Sequence, residues 1–272
     1  SLKRQAQVLA TTLRRALETE SMLVDRYQRR GSLDLSQLTP FVLGKTDRVF
    51  KRQRMQPGID VAVSLSVDAS GSMSSEWDLV KNTMQVLDHA LALLRVPMEI
   101  ITWTTRSMPS GAPPDAMAAY YRQDALRYHI LRSFDVSGVD KGVEVALQQR
   151  QSMGGTPTAE GLLLPAERLG ARHEQRKVLF FVTDGDPGFN HSGSWQVHDE
   201  FLQDILQRCE AANIEVVLLG IGMSERALSE SLKRFPRRII LEKPDQLGKH
   251  LQAELYRILR SMRRAHFSRV AV

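Results

Sequence analysis

Two uninterrupted apolar segments of strand length constrain the fold of this chain more than any other feature of its sequence. They are Lys177–Thr183 (KVLFFVT) and Glu215–Ile221 (EVVLLGI), and each follows a segment with helical character. Strands that lack polar alternation are buried on both faces, which is typical of the centre of a parallel sheet covered by helices. We therefore predict an α/β fold with a doubly wound, mostly parallel central sheet and helices on both faces.

The neighbouring segments continue this alternation of strands and helices. The other predicted strands are Asp60–Val67, Met98–Thr104, Leu126–Phe134 at the sheet edge, and Arg238–Leu241. The predicted helices are Glu76–Leu94, Val139–Arg150, Ala159–Ala171, Val197–Ala212 and Leu247–Met262, with a short helix near Ser224 and a loop over residues 106–125. Together these elements predict one domain over residues 59–265.

The first 58 residues follow a different pattern. Apolar residues that fall near one helix face are Leu2, Val8, Leu9, Leu13 and Leu17. This spacing predicts a helix over residues 1–30. Glycines and prolines interrupt residues 31–58, for which we predict irregular structure. We therefore expect a helical and extended N-terminal arm over residues 1–58.

The composition excludes several classes of protein. The chain has 272 residues, 42% of them hydrophobic and 25% charged, which is ordinary for a soluble globular protein. It contains no apolar run of 18 residues, a single cysteine (Cys209) and no apolar signal core after its basic N-terminus, so we expect a cytoplasmic protein that does not enter membranes. The net charge of +6 is not accompanied by a nucleic-acid-binding motif, so we do not expect nucleic acid as a partner.

Three loops that follow predicted strands or open a predicted helix carry oxygen ligands. The first loop is Asp68-Ala-Ser70-Gly-Ser72, the second is Gly154-Gly-Thr156-Pro-Thr158, and the third is Thr183-Asp184-Gly-Asp186. Each motif alone is a common turn. Because the carboxyl ends of parallel strands meet at one edge of a sheet, all three in this order predict a single site there.

The residue types in these loops indicate a hard divalent cation. The predicted ligands are Asp68, Ser70, Ser72, Thr156 and Asp184, with Thr158 and Asp186 as second choices. Such oxygen ligands suit Mg²⁺ at about 2.0–2.1 Å, although Ca²⁺ or Mn²⁺ is also compatible. Two carboxylates and three neutral hydroxyls leave the ion under-neutralised, with one coordination position open. We therefore predict that an acidic side chain of a partner protein fills that position.

These loops resemble the metal-ion-dependent adhesion site of the von Willebrand factor A (VWA) superfamily. A narrower resemblance is to the C-terminal VWA domain of the cobaltochelatase CobT subunit, and it extends back to about residue 48. The motifs that carry it are Phe50-Lys-Arg52, Trp103-Thr-Thr-Arg106 and Ala171-Arg-His-Glu-Gln-Arg176. The resemblance implies a non-ATPase partner of an AAA+ ATPase, of the CobS or MoxR type, in a complex that inserts Co²⁺ into a corrin ring during cobalamin biosynthesis.

Two alternatives remain open at this point. The Gly154–Thr158 loop looks more like that of a general VWA domain, so the chain could serve another MoxR-type ATPase in protein activation or metal-centre maturation. A metal-dependent hydrolase would need a general base near the ion, and beyond the ligands only Asp186 is available. We expect no catalytic activity from the chain itself, which would at most be a subunit of an ATP-dependent chelatase.

Overall fold

The computed structural model describes residues 2–17, 19–107, 124–140, 142–143, 154–185, 187–188, 195–224, 228–242 and 256–257. These residues form two compact units. One unit comprises Ser1–Ala16 together with Val61–Val272, and the other is Leu17–Asp60. The predicted division into an arm over residues 1–58 and a domain over residues 59–265 stays a prediction.

The two units contain the following regular elements. The helices are α1 (Leu2–Leu17), α2 (Leu38–Val42), α3 (Trp77–Leu93), α4 (Thr158–Gly170), α5 (Trp195–Ala211) and α6 (Glu230–Lys233). The strands are β1 (Thr19–Gln28), β2 (Ser32–Leu33), β3 (Phe50–Gly58), β4 (Val61–Asp68), β5 (Met98–Ser107), β6 (Asp124–Arg132), β7 (Arg176–Thr183), β8 (Ile214–Ile221) and β9 (Arg238–Leu241).

The larger unit is built on a six-stranded sheet with the order β6-β5-β4-β7-β8-β9. Every neighbouring pair is parallel except β5 and β6, so β6 is an antiparallel edge strand. All eight residues of β4 are buried, as expected for a central strand covered on both faces. The predicted doubly wound α/β fold is confirmed.

Both faces of this sheet are covered. Leu179 and Phe181 of β7 belong to a core cluster with residues of α4 and α5, including Leu162 and Leu202. The alternate residues of β7, such as Phe180, point to the opposite face and are equally buried. The connection through α3 leads from β4 to β5, and the connection through α5 leads the other way from β7 to β8. Since such crossovers are right-handed, α3 and α5 lie on opposite faces.

The reversal of strand order lies between β4 and β7, which are adjacent and parallel. At such a point the two connections leave in opposite directions, which opens a crevice at the carboxyl ends of the strands. Asp68 is the last residue of β4, and Asp184 directly follows β7. The fold therefore places two of the predicted ligands beside this crevice.

The smaller unit differs from the predicted arm. Its sheet has the order β1-β3-β2 and is antiparallel, with Thr19 of β1 opposite Gly58 of β3. The predicted helix over residues 1–30 is wrong beyond Leu17, and residues 31–58, predicted to be irregular, contain β2, α2 and β3. The cause is the pairing of β1 with a strand some thirty residues later, which local helical periodicity cannot reveal.

Most other predicted elements agree with the structure to within a few residues, including the edge position of β6. The helices predicted over Val139–Arg150 and Leu247–Met262, and the loop over residues 106–125, lie largely outside the described residues. Among the described helices, none combines the length and the apolar character needed to cross a bilayer.

Candidate metal centre

Asp68 is the most deeply buried of the predicted ligands. Its side chain, at the end of β4, is inaccessible to solvent. One carboxylate oxygen accepts a 2.8 Å hydrogen bond from the backbone N–H of Ser70, and the other accepts a 2.7 Å bond from the hydroxyl of Thr183. These two bonds hold the carboxylate between the first and third loops while leaving each oxygen with lone pairs available to a cation.

Ser70, Ser72 and Asp184 form a continuous chain of hydrogen bonds. The Ser72 hydroxyl donates to Asp184 Oδ1 at 2.9 Å, and the hydroxyl oxygens of Ser70 and Ser72 lie 3.1 Å apart. The hydroxyl proton of Ser72 is directed to Asp184, and the Ser70 side chain hydrogen-bonds to the carboxylate of Asp68 as well as lying beside Ser72. Residues that are 112 positions apart in the sequence are thus in direct contact.

The second loop is attached to the first loop and to the end of β5. Gly154 forms a parallel bridge with Ser70, and its carbonyl accepts from the N–H of Gly71 at 2.9 Å. The hydroxyls of Thr104 and Thr105 accept from the N–H groups of Gly154 and Gly155, at 3.0 and 2.7 Å. A Cβ at position 154 would lie 2.0 Å from the Thr105 carbonyl oxygen, so only glycine permits this approach.

Thr156 links the second loop to the third. It is buried and forms an antiparallel bridge with Gly188, four residues after Asp184. Thr158, the second choice on this loop, is buried at the first position of α4, and its hydroxyl has no hydrogen-bond partner among the described residues. Asp186, the other second choice, lies outside the described residues. The structure therefore brings all three loops to one place, with Asp68, Ser70, Ser72 and Asp184 in direct contact through hydrogen bonds.

The two carboxylates of this cluster titrate abnormally. The pKa of Asp68 is raised to about 7, mainly by burial and to a smaller extent by the charge of Asp184, although the hydrogen bonds from Thr183 and Ser70 lower it. The pKa of Asp184 is also raised by burial, with the carboxylate of Glu76 adding to the effect despite the bond from Ser72. In the described part of the chain, neither carboxylate forms an ion pair with a lysine or arginine.

This donor set fits a hard divalent cation. Buried carboxylates without a basic partner are costly unless a cation compensates for their charge. The available donors are carboxylate and hydroxyl oxygens, which suit Mg²⁺, Ca²⁺ or Mn²⁺ and do not suit a metal that prefers sulfur or nitrogen. No group of three or more His, Cys, Asp or Glu side chains that could hold a metal occurs among the described residues. The candidate site instead relies on hydroxyls for most of its ligands.

Sequence reasoning missed the roles of four residues in this cluster. Thr183 holds the carboxylate of Asp68, and its position directly before Asp184 was an available signal. Thr104 and Thr105 fix the second loop, although they were noted only as part of the resemblance. Glu76, at the start of α3, acts electrostatically on Asp184, and no motif distinguished it from an ordinary helix-terminal residue.

The segment Ala171–Arg176 has a structural role at the opposite edge of the sheet. Arg172 forms two hydrogen bonds with Glu174, at 3.0 and 2.6 Å, and its guanidinium lies over the ring of Phe134. Arg176 binds both carboxylate oxygens of Glu215 at 2.9 Å. These pairs fix the connection from α4 to β7 and do not contact the candidate metal centre.

Comparison with known families decides the classification. A family model described as the VWA domain of the cobalamin biosynthesis protein CobT matches residues 49–261. The chain belongs to this family. The match begins within one residue of the start expected from the resemblance, and it includes all three loops of the candidate site. The predicted family membership is confirmed.

Solved structures with the same fold are distant in sequence. The PilB minor pilin from Streptococcus sanguinis is 12% identical with a TM-score of 0.52, and the similarity covers 79% of this chain and 66% of that one. The vWF domain of the type V pili tip protein Mfa5 from Porphyromonas gingivalis is 10% identical with a TM-score of 0.51, over 74% and 94% of the two chains. The pilus adhesin SpaC from Lactobacillus rhamnosus GG is 16% identical with a TM-score of 0.48, over 76% and 30%. This chain thus spans less than two thirds of PilB and SpaC. At identities this low, the similarity to PilB and Mfa5 supports the VWA fold alone.

Proposed function

We propose that this CobT-type VWA domain is a metal-dependent protein interaction module. Its cation would be Mg²⁺, or else Ca²⁺ or Mn²⁺, held by Asp68, Ser70, Ser72, Thr156 and Asp184. When bound, such an ion supplies an open coordination position for a carboxylate of a partner protein. The module has no catalytic role of its own in this proposal.

The observation that carries the proposal is the hydrogen-bonded chain that joins the three loops. Ser70, Ser72 and Asp184 form successive contacts of 3.1 and 2.9 Å, and Asp68 is held by Thr183 on the same loop as Asp184. Hydroxyls outnumber carboxylates among the predicted ligands, and because neutral hydroxyls are weaker donors than carboxylates, a divalent ion there stays electrophilic. Such an ion favours an acidic group from outside the domain at its open coordination position.

The proposed partner is an AAA+ ATPase of the CobS or MoxR type. Family membership supports a place in a cobaltochelatase-like complex of cobalamin biosynthesis, in the cytoplasm. Pilus tip proteins also carry VWA domains, which supports protein recognition as the general use of this fold. Service to another MoxR-type ATPase, in protein activation or metal-centre maturation, is the alternative within the same class.

A hydrolase is less well supported than an interaction module. The general base would have to be Asp186, which lies outside the described residues. The two carboxylates that the structure places at the site, Asp68 and Asp184, are already engaged by Ser70, Thr183 and Ser72. As predicted ligands they would be occupied by the cation, which leaves neither free to activate water.

The test measures metal binding and partner capture separately. Isothermal titration calorimetry with Mg²⁺ and with Mn²⁺ is carried out on the wild-type chain and on Asp68→Asn, which removes the charge and keeps the shape. We expect binding by the wild type and none by the variant. Capture of the ATPase should fall at least tenfold in EDTA and equally in Asp68→Asn.

Asp204→Asn is the matched control, since Asp204 is an exposed carboxylate of α5 that pairs with Arg208 one helical turn away. It should bind metal and partner like the wild type. Circular dichroism confirms that each variant is folded. Wild-type metal affinity in Asp68→Asn would contradict the proposed site, whereas partner capture that ignores EDTA would contradict the proposed use of the metal.

A further inference from the structure

The smaller unit exposes an unusual number of apolar side chains in one short segment. Within residues 33–43, which we term the apolar segment, the exposed fractions are 44% for Leu33, 73% for Leu35, 36% for Leu38, 50% for Phe41, 81% for Val42 and 61% for Leu43. Scattered exposed apolar residues are normal, but contiguous ones mark interaction surfaces. The whole of this segment lies before residue 49, where the family match begins.

The segment is ordered by its backbone and its caps, not by burial of these side chains. At its start, the buried carboxylate of Asp34 accepts hydrogen bonds from the N–H and the hydroxyl of Ser36, at 3.2 and 2.8 Å. At its end, Gly44 (φ +68°) donates to the Phe41 carbonyl and Lys45 donates to the Pro40 carbonyl. These two hydrogen bonds around a glycine in the left-handed conformation form a Schellman motif, which ends α2. The two caps thus hold a conformation in which the apolar side chains are exposed to solvent.

The spacing of the apolar residues is that of a helical docking element. Leu35 lies in a single 3-10 turn that leads into α2, and Leu38, Phe41 and Val42 follow at intervals of three and four residues. Apolar side chains at such intervals lie along one side of a helix and are used to insert into an apolar groove. The intervening positions are uncharged, and Ser36, Gln37 and Thr39 among them are polar.

Basic residues flank the apolar segment on both sides. Residues 26–52 contain seven lysines and arginines and only two carboxylates. Both carboxylates already have a basic neighbour, since Asp34 lies 3.8 Å from Arg26 and Asp47 lies 3.1 Å from Arg29. Lys51 also acts electrostatically on Asp34, so these carboxylates are shared and the stretch keeps an excess of positive charge that includes the exposed Lys45 and Arg48. Charge complementarity requires an acidic partner surface.

This arrangement disfavours two other occupants. A second copy meeting the first through the same segment would bring two basic surfaces together. A helix lying in a membrane interface carries lysines and arginines on its own polar side, whereas the single charged residue of this segment is the acidic Asp34 and the basic residues lie outside it. An apolar groove with an acidic rim satisfies both the spacing and the charge.

We propose that the apolar segment docks into an apolar groove, rimmed by carboxylates, on the partner AAA+ ATPase. This inference rests on the proposed function for the identity of the partner, but the contact does not involve the metal centre. The segment provides a second point of attachment, driven by apolar burial and steered by the flanking lysines and arginines. Each contact alone is weak, and together they give a stable complex.

The first experiment measures ATPase affinity for the wild type, for Leu38→Ser/Phe41→Ser and for Leu93→Ser, in Mg²⁺ and in EDTA. Leu93 is the matched control, an apolar residue 53% exposed at the end of α3. We expect the double variant to weaken binding at least tenfold in Mg²⁺ and to remove the binding that remains in EDTA, while the control is unchanged. Its replaced side chains are exposed, so the fold is retained, which circular dichroism checks.

The second experiment places an environment-sensitive fluorophore at Val42→Cys. Cys209 does not compete for the label, because it is buried and its pKa is raised to about 11 by burial. We expect a blue shift on addition of the ATPase, in Mg²⁺ and in EDTA, and none with phosphatidylglycerol vesicles.

Three results would overturn the inference. If the ATPase binds the double variant as tightly as the wild type and remains EDTA-sensitive, the docking contact is wrong and the proposed function stands. A blue shift with vesicles but not with the ATPase identifies a membrane contact instead. If the ATPase binds no form of the chain, the proposed partner and the docking contact both fail.

Discussion

The central sheet has carboxylates at both ends of its parallel strands, which we term its two edges, but only the edge where the strands begin provides arginines to balance the charge. At the edge where the parallel strands begin, Glu99 accepts a 2.6 Å hydrogen bond from Arg168, and Glu215 is held through both oxygens by Arg176. At the edge where they end, Asp68 and Asp184 have hydroxyl and backbone donors and, among the described residues, no ion pair with a basic side chain.

The most deeply buried pair at the arginine-rich edge joins α3 to β6. Asp88 and Arg132 have side chains that are 3% and 2% exposed, and their nearest charged atoms lie 3.1 Å apart. Arg132 also donates to the carbonyls of Val136 and Gly138, both at 2.8 Å. The charge of this guanidinium is therefore paired within the protein, although its Nε and Nη1 atoms have no hydrogen-bond partner among the described residues.

The two edges therefore differ in how the charges of their carboxylates are compensated. Charges that the chain balances internally contribute to folding and are not available to a ligand. We propose that a cation from solution compensates the charges that it leaves unbalanced at the switch point between β4 and β7. The following predictions test whether the two edges differ in this way.

The largest effect is expected at the arginine-rich edge. Arg132→Met should lower the free energy of unfolding by about 3–5 kcal/mol, because it leaves Asp88 buried without its counter-charge. Urea unfolding followed by circular dichroism measures the loss. The pKa of Asp88 is already raised by burial, and removing Arg132 raises it further. A raised native pKa makes the folded state bind more protons than the unfolded state, so the loss should shrink as the pH is lowered.

The control for this prediction replaces both partners. Arg132→Met combined with Asp88→Leu should recover most of the lost stability, since two apolar side chains leave no uncompensated charge. A double variant that is as unstable as Arg132→Met alone would show that lost packing, and not charge, causes the effect.

A smaller effect is expected at the carboxyl edge. Without metal, Asp68→Asn should change the free energy of unfolding by less than about 1 kcal/mol. The amide oxygen can still accept from Ser70, and its NH₂ can donate to Thr183, whose hydroxyl proton then turns to the Gly185 carbonyl 3.2 Å away. The substitution also removes a buried charge that has no basic partner.

Addition of Mg²⁺ should make the wild type clearly more stable than Asp68→Asn, although the two are similar without metal. At about one hundred times its dissociation constant, Mg²⁺ should stabilise the wild type by about 2.7 kcal/mol and leave Asp68→Asn unaffected. Urea unfolding with and without Mg²⁺ gives both numbers. If Asp68→Asn without metal loses as much free energy of unfolding as Arg132→Met does, the charge at the carboxyl edge is compensated within the protein, as it is at the other edge.

The carboxyl edge could be predicted from the sequence for a simple geometric reason. Asp68 and Asp184 each sit at the end of an apolar strand, and parallel strands that are recognised as central must bring their carboxyl ends together. The residues that support them were less visible. Thr104 and Thr105 contact the second loop some fifty residues away, through bonds that no local pattern encodes.

The arginine-rich edge and the smaller unit show where such reasoning fails. Asp88 and Arg132 lie 44 residues apart on a helix and an edge strand, and each looks like an ordinary surface charge in the sequence. In the sequence, the strand β1 begins two residues after the end of α1. Its pairing with β3 determines its conformation. In both cases a distant partner determines the outcome, so only the assembled fold reveals it.

The smallest effect is expected from Glu76, which acts on the carboxyl edge without belonging to it. Its carboxylate raises the pKa of Asp184 and lies against Gly222, where a Cβ would meet Glu76 Cδ at 3.0 Å. Glu76→Gln should therefore weaken Mg²⁺ affinity by about two- to fivefold, and high salt should reduce the difference. Calorimetry at low and high ionic strength measures both.

The matched control is Asp78→Asn, two residues away on α3 with a side chain that is 90% exposed. Solvent screens this carboxylate, so its loss should leave Mg²⁺ affinity unchanged. If the two substitutions change Mg²⁺ affinity equally, Glu76 acts no differently from any other surface charge. A tenfold or larger loss in Glu76→Gln that persists in high salt would instead mean that Glu76 contacts the ion, and the carboxyl edge would then contain three carboxylate ligands with correspondingly less attraction for an acidic partner.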